Sequence, residues 1–348
     1  MNLSEKHQYI TTPEFAVFIG SHISSVKRIA FLSETINSLI KQTKPAGIYI
    51  SISFENKELE EIFKKSIMRS PLVNTFSSFY SFYYFIRDEK TPQMKHLEFI
   101  CSQLRRTIYH PLPQWILFSD DDDTHVEDRV ERFAKQIELC EADLNKAVMD
   151  PERLVGLYES HDFGINHKHQ RHEYWCYCVR FSLLCEFFKK LEPYPDVIEN
   201  KCCDIVFGEF LRRRKSSDLF SYIDAKMYNY RRENNTDSVT GRIISKTDVK
   251  LRTPNPPSMD CNEIVDYIME FNDYLHENIE IYMHDTFLRT VVGSQFDDIL
   301  RAEFLADYAL LNYVDVCHKD KLRVYHEHLR AVCLAVYDEG FPPPITPT

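Results

Sequence analysis

The sequence predicts an α/β protein with a Rossmann-like, mainly parallel sheet flanked by helices, followed by a C-terminal helical appendage. Short, continuous apolar runs alternate with segments of helical periodicity over residues 15–118, as expected for a parallel sheet that is covered on both faces. Prolines at positions 254, 256 and 257 then interrupt the chain. Beyond them, apolar residues recur at helical spacing over 261–338. We therefore expect two domains, 1–250 and 251–348.

The predicted strands are short apolar runs that are rich in β-branched and aromatic residues. They lie at 15–19, 47–54, 73–76 and 115–118, and part of the aromatic stretch 79–86 is a further candidate. The tripeptide Gly20-Ser21-His22 is predicted to end the first strand. Helices are predicted after Ser24 or Ser25, either of which suits an N-cap, and over 59–65 and 93–108.

Composition limits the ways in which this chain could bind phosphate. It has 8 glycines in 348 residues, and neither GxxxxGK[ST] nor GxGxxG occurs, which excludes a P-loop and a dinucleotide fingerprint. The net charge of −11 argues against a nucleic-acid partner, because nucleic-acid affinity depends on a basic surface. A phosphate ligand would therefore need a metal ion or basic side chains.

Cysteine usage and hydropathy indicate the compartment. The ten cysteines lie mostly in apolar runs, which is typical of free thiols in a reducing environment. The N-terminal residues contain no apolar stretch of signal-peptide length. No window approaches the roughly 20 apolar residues of a membrane span. We expect a cytoplasmic protein with no transmembrane segment.

The most informative segment is WILFSDDDD, in which four consecutive aspartates follow the strand predicted at 115–118. Ligands of open parallel sheets bind at the carboxyl ends of the strands, and carboxylates suit Mg²⁺ or Mn²⁺, which in turn bind phosphates. An acidic surface turn, or an N-cap for a helix that starts near His125, is the alternative.

This segment resembles the strand that carries the DxD motif in glycosyltransferase family 2, whose members have the A-type glycosyltransferase fold. The resemblance implies that these aspartates hold Mn²⁺ or Mg²⁺ on the diphosphate of a nucleotide-sugar donor and contact its ribose. The implied metal ligands are Asp120, Asp122 and Asp123, and the implied donor contacts include Asp120 and Asp121.

Four further segments resemble the same family in the same order, and the resemblance covers residues 13–245. FAVFIG with the helix after it resembles the first strand and nucleotide-binding loop, which implies donor contacts at Gly20, Ser21 and His22. ISISFEN resembles the strand that carries a base-reading acidic residue, which implies Glu55. ENKCCDIVFGEFL resembles the segment with the catalytic carboxylate, which implies Asp204, with Glu209 as a second candidate, and MYNYRRENNTDSVTG resembles the closing segment, which implies Arg231 and Arg232 as phosphate partners. Glu233 stands where the family has histidine, which puts one usual metal or phosphate contact in doubt.

The segment 161–178 holds four histidines and two cysteines, but its H-x-H and C-x-C spacings differ from those of well-defined zinc sites. A polar loop over 161–172 that enters an aromatic strand or helix over 173–181 is favoured. Trp175 or Tyr174 could support a sugar ring, and His172 or Glu173 could bond its hydroxyls, whereas core packing is the structural alternative. Glu209 is likewise a candidate for substrate contact.

Together these residues predict metal-dependent transfer of a sugar from a nucleoside-diphosphate sugar to a hydroxyl of a glycan or glycoprotein. UDP is the nucleotide that the resemblance implies. Inversion would need a general base, and Asp204 is the candidate because it begins an apolar helical run; helix capping is the alternative role. A metal-dependent nucleotidyl- or phosphotransferase and a catalytically inactive scaffold are the other functions considered.

Overall fold

The computed structural model describes residues 14–106, 112–160, 172–217, 219–231, 261–303 and 316–337. The chain divides into two compact units, Met1–Arg232 and Glu233–Thr348. The boundary predicted between residues 250 and 251 lies outside the described residues and stays a prediction.

The first unit is built on a seven-stranded sheet of order β3-β2-β1-β4-β7-β6-β8 among the described residues. Its strands are β1 (Phe15–Ile23), β2 (Gly47–Phe54), β3 (Phe82–Arg87), β4 (Trp115–Ser119), β6 (Leu154–Glu159), β7 (Tyr177–Arg180) and β8 (Leu219–Ile223). The first four strands are parallel, and β6 is parallel to β8, whereas β7 runs antiparallel to both of its neighbours. Two short strands, β5 (Thr124–His125) and β9 (Tyr228–Asn229), form a separate antiparallel pair.

Helices flank this sheet, so the predicted fold class is confirmed. They are α1 (Val26–Ile40), α2 (Lys57–Phe63), α3 (Pro71–Ser77), α4 (Gln93–Arg106), α5 (Arg129–Lys146), α6 (Phe181–Leu191), α7 (Pro195–Ile198) and α8 (Cys203–Ser217). The central strands β1, β2 and β4 are buried along almost their whole length, which explains why each is a continuous apolar run.

Two local predictions were wrong. The segment 73–76 belongs to helix α3, because the Ser70 side chain accepts a hydrogen bond from the Val73 N–H and Pro71 stands at the helix start. Strand β1 continues through Gly20 to Ile23. Gly20 does not end the strand but lets α4 approach it closely: a Cβ atom there would lie 2.9 Å from the Gln93 carbonyl oxygen.

A buried ion pair connects α5 to the sheet next to the end of β4. The side chains of Arg129 and Glu159 are 1% and 0% exposed, and Arg129 Nε donates to Glu159 Oε1 at 2.7 Å. Arg129 also donates to the Trp175 carbonyl at 2.6 Å, and Glu159 accepts from the Met227 N–H at 2.6 Å. The pair therefore fixes two chain segments that flank the aspartates.

The second unit is helical over the described part of 261–338, as predicted. Its helices are α9 (Cys261–Glu277), α10 (Ile279–Val291), α11 (Phe296–Glu303) and α12 (Val316–Tyr337). Phe271, Leu275, Tyr282 and Leu322 form an apolar cluster among them. None of the helices in the described ranges is both long and apolar enough to cross a membrane.

We expect Glu159→Gln to lower the free energy of unfolding by about 3 kcal/mol, because it leaves the Arg129 charge buried without its counter-ion. Asp143→Asn is the matched control: it breaks an ion pair with Lys146 in which both side chains are more than three-quarters exposed, and such pairs contribute about 0.5 kcal/mol or less. Urea unfolding of both variants measures the difference. Equal losses would contradict a special role for the buried pair.

Candidate functional site

The carboxyl ends of β1, β2 and β4 meet at one edge of the sheet and bring most of the predicted donor residues together. Ser21 Oγ donates to Asp121 Oδ2. His22 contacts Ser53 Oγ through Nδ1 and Glu55 Oε2 through Nε2, both at 3.0 Å. These residues are far apart in the sequence, and the parallel registers of β1 with β2 and of β1 with β4 make them neighbours.

The four aspartates are largely withdrawn from solvent. Asp121, Asp122 and Asp123 are 4%, 7% and 1% exposed, and Asp120 is half-buried. The acidic surface turn is therefore not what the structure shows. Each aspartate accepts hydrogen bonds from a different set of groups. The Gln93 and Tyr174 side chains donate to Asp120, and the Ser21 hydroxyl donates to Asp121. The Arg28 guanidinium donates to both Asp121 and Asp122, and the Arg231 N–H donates to Asp123.

Burial makes the charge on this cluster costly. Desolvation and the neighbouring carboxylates raise the pKa of Asp120 well above its ordinary value. Desolvation outweighs the opposing effect of Arg28 and raises the pKa of Asp121 to about 6. Desolvation and the charge of Asp122 raise the pKa of Asp123 to about 7. A cation placed among these groups would favour their ionised forms.

The donor set suits a hard divalent cation, although no closed cage is formed. Within the part of the chain that the structure describes, no three His, Cys, Asp or Glu side chains are arranged to hold a metal ion together. Mg²⁺ usually takes only one or two protein carboxylates and completes its shell with water and substrate phosphates. Asp123 Oδ2 is buried and accepts no hydrogen bond from the described residues, so it is an oxygen that fits this role. Asp120, Asp122 and Asp123 remain the predicted ligands.

Asp204 is close enough to Tyr174 for its charge to act on the Tyr174 phenol. It is half-buried in the first turn of α8. Burial raises the pKa of the Tyr174 phenol well above its ordinary value, and the charges of Asp120 and Asp204 raise it further. Tyr174 also donates to Asp120, so its phenol is within electrostatic range of both the predicted base and one predicted metal ligand.

The predicted sugar platform is packed among aromatic residues. Trp175 is 4% exposed and stacks on Tyr228, with ring centroids 4.2 Å apart, and on Tyr230 at 5.7 Å. It belongs to a 3₁₀ turn (Tyr174–Cys176) that leads into β7. The aromatic strand expected here is thus present, and contact between Trp175 and a sugar stays a prediction.

The other predicted residues have partners of their own. His172 is buried, with Nδ1 3.1 Å from Lys215 Nζ, and Glu209 accepts hydrogen bonds from Arg212 and Arg213. Arg231 donates through Nε to the Asp122 carbonyl at 2.7 Å and pairs with Glu34. Arg232 and the polar loop over 161–171 lie outside the described residues. The roles given to all of these remain predictions.

Sequence reasoning missed Arg28 and Gln93, which both bond the aspartates. Gln93 carries no recognisable signal, because nothing in its neighbourhood separates it from an ordinary helix start. Arg28 does carry one: it stands in the first turn of α1, three residues after the N-cap Ser25. A cation is unfavourable there for the helix dipole, so a nearby acidic partner could have been expected.

Comparisons with known proteins give distant similarities only. No family model matches the chain, and no curated protein matches it. Among solved structures, S. aureus TarS aligns with a TM-score of 0.41 and 12% identity over 93% of this chain and 55% of that one. This chain therefore spans about half the length of that protein.

Two further solved structures illustrate the range of these similarities. TarS 1–349 in complex with UDP-GlcNAc gives a TM-score of 0.42 and 11% identity over 93% of this chain and 90% of that one. A 4-diphosphocytidyl-2C-methyl-D-erythritol synthase from Anaerococcus prevotii gives a TM-score of 0.36 and 13% identity over 67% of this chain and 96% of that one. Similarities this distant do not decide the function, which has to be inferred from the residues of this chain.

We expect the Asp123 carboxyl to destabilise the ligand-free protein increasingly as the pH rises from about 4 to about 7. The folded-state pKa of Asp123, about 7, exceeds its ordinary value of 3.8, so over this window the folded protein keeps a proton at this site that the unfolded chain has lost. Asp123→Asn should therefore melt about 3 °C or more above the wild type at pH 8 and close to it at pH 4. Thermal unfolding across pH measures this.

The exposed Asp143→Asn variant is the control for that experiment and should follow the wild type at every pH. A difference in melting temperature between Asp123→Asn and the wild type that does not grow between pH 4 and pH 8, or a lower melting temperature of Asp123→Asn at pH 8, would contradict the assignment.

Proposed function

We propose that this protein is a metal-dependent glycosyltransferase that moves a sugar from a nucleoside-diphosphate sugar, most simply a UDP-sugar, to a hydroxyl group of a glycan or glycoprotein. The observation that carries the proposal is the buried aspartate cluster at the carboxyl end of β4, together with the charge of Asp204 acting on the Tyr174 phenol that donates to Asp120. This edge of a parallel sheet is where ligands of such folds bind.

The donor would lie along the ends of β1, β2 and β4. Glu55, the residue that the resemblance assigns to the base, is exposed and is hydrogen-bonded to His22 of the segment that resembles the nucleotide-binding loop. The aspartates would face the diphosphate. A divalent cation held by one or two of the carboxylates of Asp120, Asp122 and Asp123, with water and the donor's phosphates as its other ligands, would supply Lewis-acid stabilisation of the leaving diphosphate.

Asp204 would act as the general base. Inversion requires a group that removes the proton of the acceptor hydroxyl on the face opposite the leaving diphosphate. Asp204 is half-buried at a helix start, where the helix dipole favours the ionised carboxylate.

We expect Asp204→Asn to reduce turnover by about 10²-fold or more, because general-base catalysis typically contributes 10²–10⁴-fold. Metal-dependent binding of UDP should stay within about twofold of the wild type. Product formation from a labelled UDP-sugar and calorimetric titration with UDP measure the two effects. Near-normal turnover would place the base elsewhere or indicate a retaining reaction.

We expect Asp122→Ala to weaken the binding of UDP in the presence of Mn²⁺ by about tenfold or more, since loss of a charged contact is worth about 1.4 kcal/mol or more. Calorimetric titration measures the affinity. Asp143→Asn, which removes an exposed carboxylate, should leave it unchanged. Equal affinity of Asp122→Ala and wild type would remove this residue from the donor site.

A panel of nucleotide-sugars and nucleoside triphosphates, each with and without Mn²⁺, tests the whole proposal. A ligand that binds only the folded state must raise its melting temperature, and the labelled product separates sugar transfer from nucleotidyl or phosphoryl transfer. Failure of every nucleotide-sugar to shift the melting temperature would favour the scaffold alternative.

A further inference from the structure

Arg28 occupies the position where a cation at the aspartate cluster is needed. Its guanidinium donates through Nη1 to Asp122 Oδ2 at 2.8 Å and through Nη2 to Asp121 Oδ1. The side chain is 16% exposed, so one edge of it reaches solvent. Two of the four carboxylates are thus neutralised by a positive charge that belongs to the chain itself.

The helix itself does not favour this cation. Arg28 lies in the first turn of α1, where the helix dipole is unfavourable for positive charge. Burial would lower the pKa of Arg28, but the charges of Asp121 and Asp122 outweigh it and raise this pKa. Arg28 is therefore held in place by the carboxylates of Asp121 and Asp122, and a cation that binds these carboxylates would remove the contacts that hold it.

A guanidinium at this place is also suited to a diphosphate. Its planar set of donors binds phosphate oxygens in pairs as readily as carboxylate oxygens. The N-terminal N–H groups of a helix favour anions as well, and Arg28 stands at that end of α1. A diphosphate at the sheet edge would lie within reach of the same side chain.

We propose that Arg28 is an exchangeable counter-ion. In the ligand-free protein it neutralises Asp121 and Asp122; when a divalent cation binds the aspartates, the guanidinium is displaced and binds the diphosphate of the donor. Only the contact between Arg28 and the donor diphosphate, the second half of the inference, rests on the proposed function. It assigns Arg28 two opposite effects, competition with the cation and support of the nucleotide.

The experiment compares Arg28→Gln and Arg28→Lys with Lys27→Gln, which removes the same charge from an exposed side chain one residue away. Binding of Mn²⁺ alone is measured from the signal of the free ion in electron paramagnetic resonance. Binding of UDP and of GDP in saturating Mn²⁺ is measured by calorimetry. Thermal unfolding confirms that each variant is folded.

We expect Arg28→Gln to bind Mn²⁺ about tenfold more tightly than the wild type, because the guanidinium no longer competes with the ion for the carboxylates. The same variant should bind UDP about tenfold more weakly, because the charge-assisted contact with the diphosphate is lost. Arg28→Lys keeps the positive charge but lacks the paired donors, so its affinities for Mn²⁺ and UDP should lie between those of the wild type and of Arg28→Gln. Lys27→Gln should change both affinities by less than about twofold.

Two outcomes would overturn the inference, and a third would overturn its second half. If Arg28→Gln weakens both Mn²⁺ and UDP binding, Arg28 only supports the local structure. If it changes neither affinity while wild type binds UDP, the donor site exists without it and the proposed function stands. If wild type binds neither UDP nor GDP, the proposed function fails together with the second half of the inference, and the Mn²⁺ titration alone decides the first half.

Discussion

The constraint on which the rest of this structure depends is the burial of four consecutive carboxylates at the end of strand β4. Adjacent ionised groups repel one another, and desolvation adds to the cost of each charge. The chain offsets this cost with Arg28, with hydrogen bonds from Ser21 and Tyr174, and with the raised pKa of Asp123. A folded protein that retains such a cluster can use it to bind a cation.

A second set of buried polar contacts keeps the cluster in position. The Arg129 guanidinium contacts Glu159 and His125, and the His125 ring contacts Ser119 Oγ at 3.0 Å. Burial lowers the pKa of His125 well below its ordinary value, so this ring is neutral and can accept from Arg129. The aspartates are thereby fixed on both sides, by Ser119 before them and His125 after them.

The pairing of β5 with β9 brings the end of the first unit back to the same place. It sets His125 opposite Tyr228, and the Tyr228 phenol accepts from the Asp120 N–H at 2.8 Å. Arg231 follows and contacts Asp122 and Asp123. The proposed donor site is thus assembled from segments that are about a hundred residues apart in the chain.

The sequence by itself determined the features that depend on local pattern. The buried runs of β1, β2 and β4, an N-cap at Ser24 or Ser25 and the aspartates after β4 follow from apolar periodicity and capping chemistry; in the structure the N-cap is Ser25. Local pattern failed at 73–76, because a four-residue apolar run is equally compatible with a strand and a helix, and Ser70 with Pro71 decided for the helix. Only the tertiary structure decided the antiparallel direction of β7 and the contact of Arg28 with Asp121 and Asp122. The physical reason is that the Arg28 contacts join residues over 90 positions apart and the pairing of β7 with β4 joins residues over 60 positions apart, and neither hydrophobic periodicity nor helix capping extends over such distances.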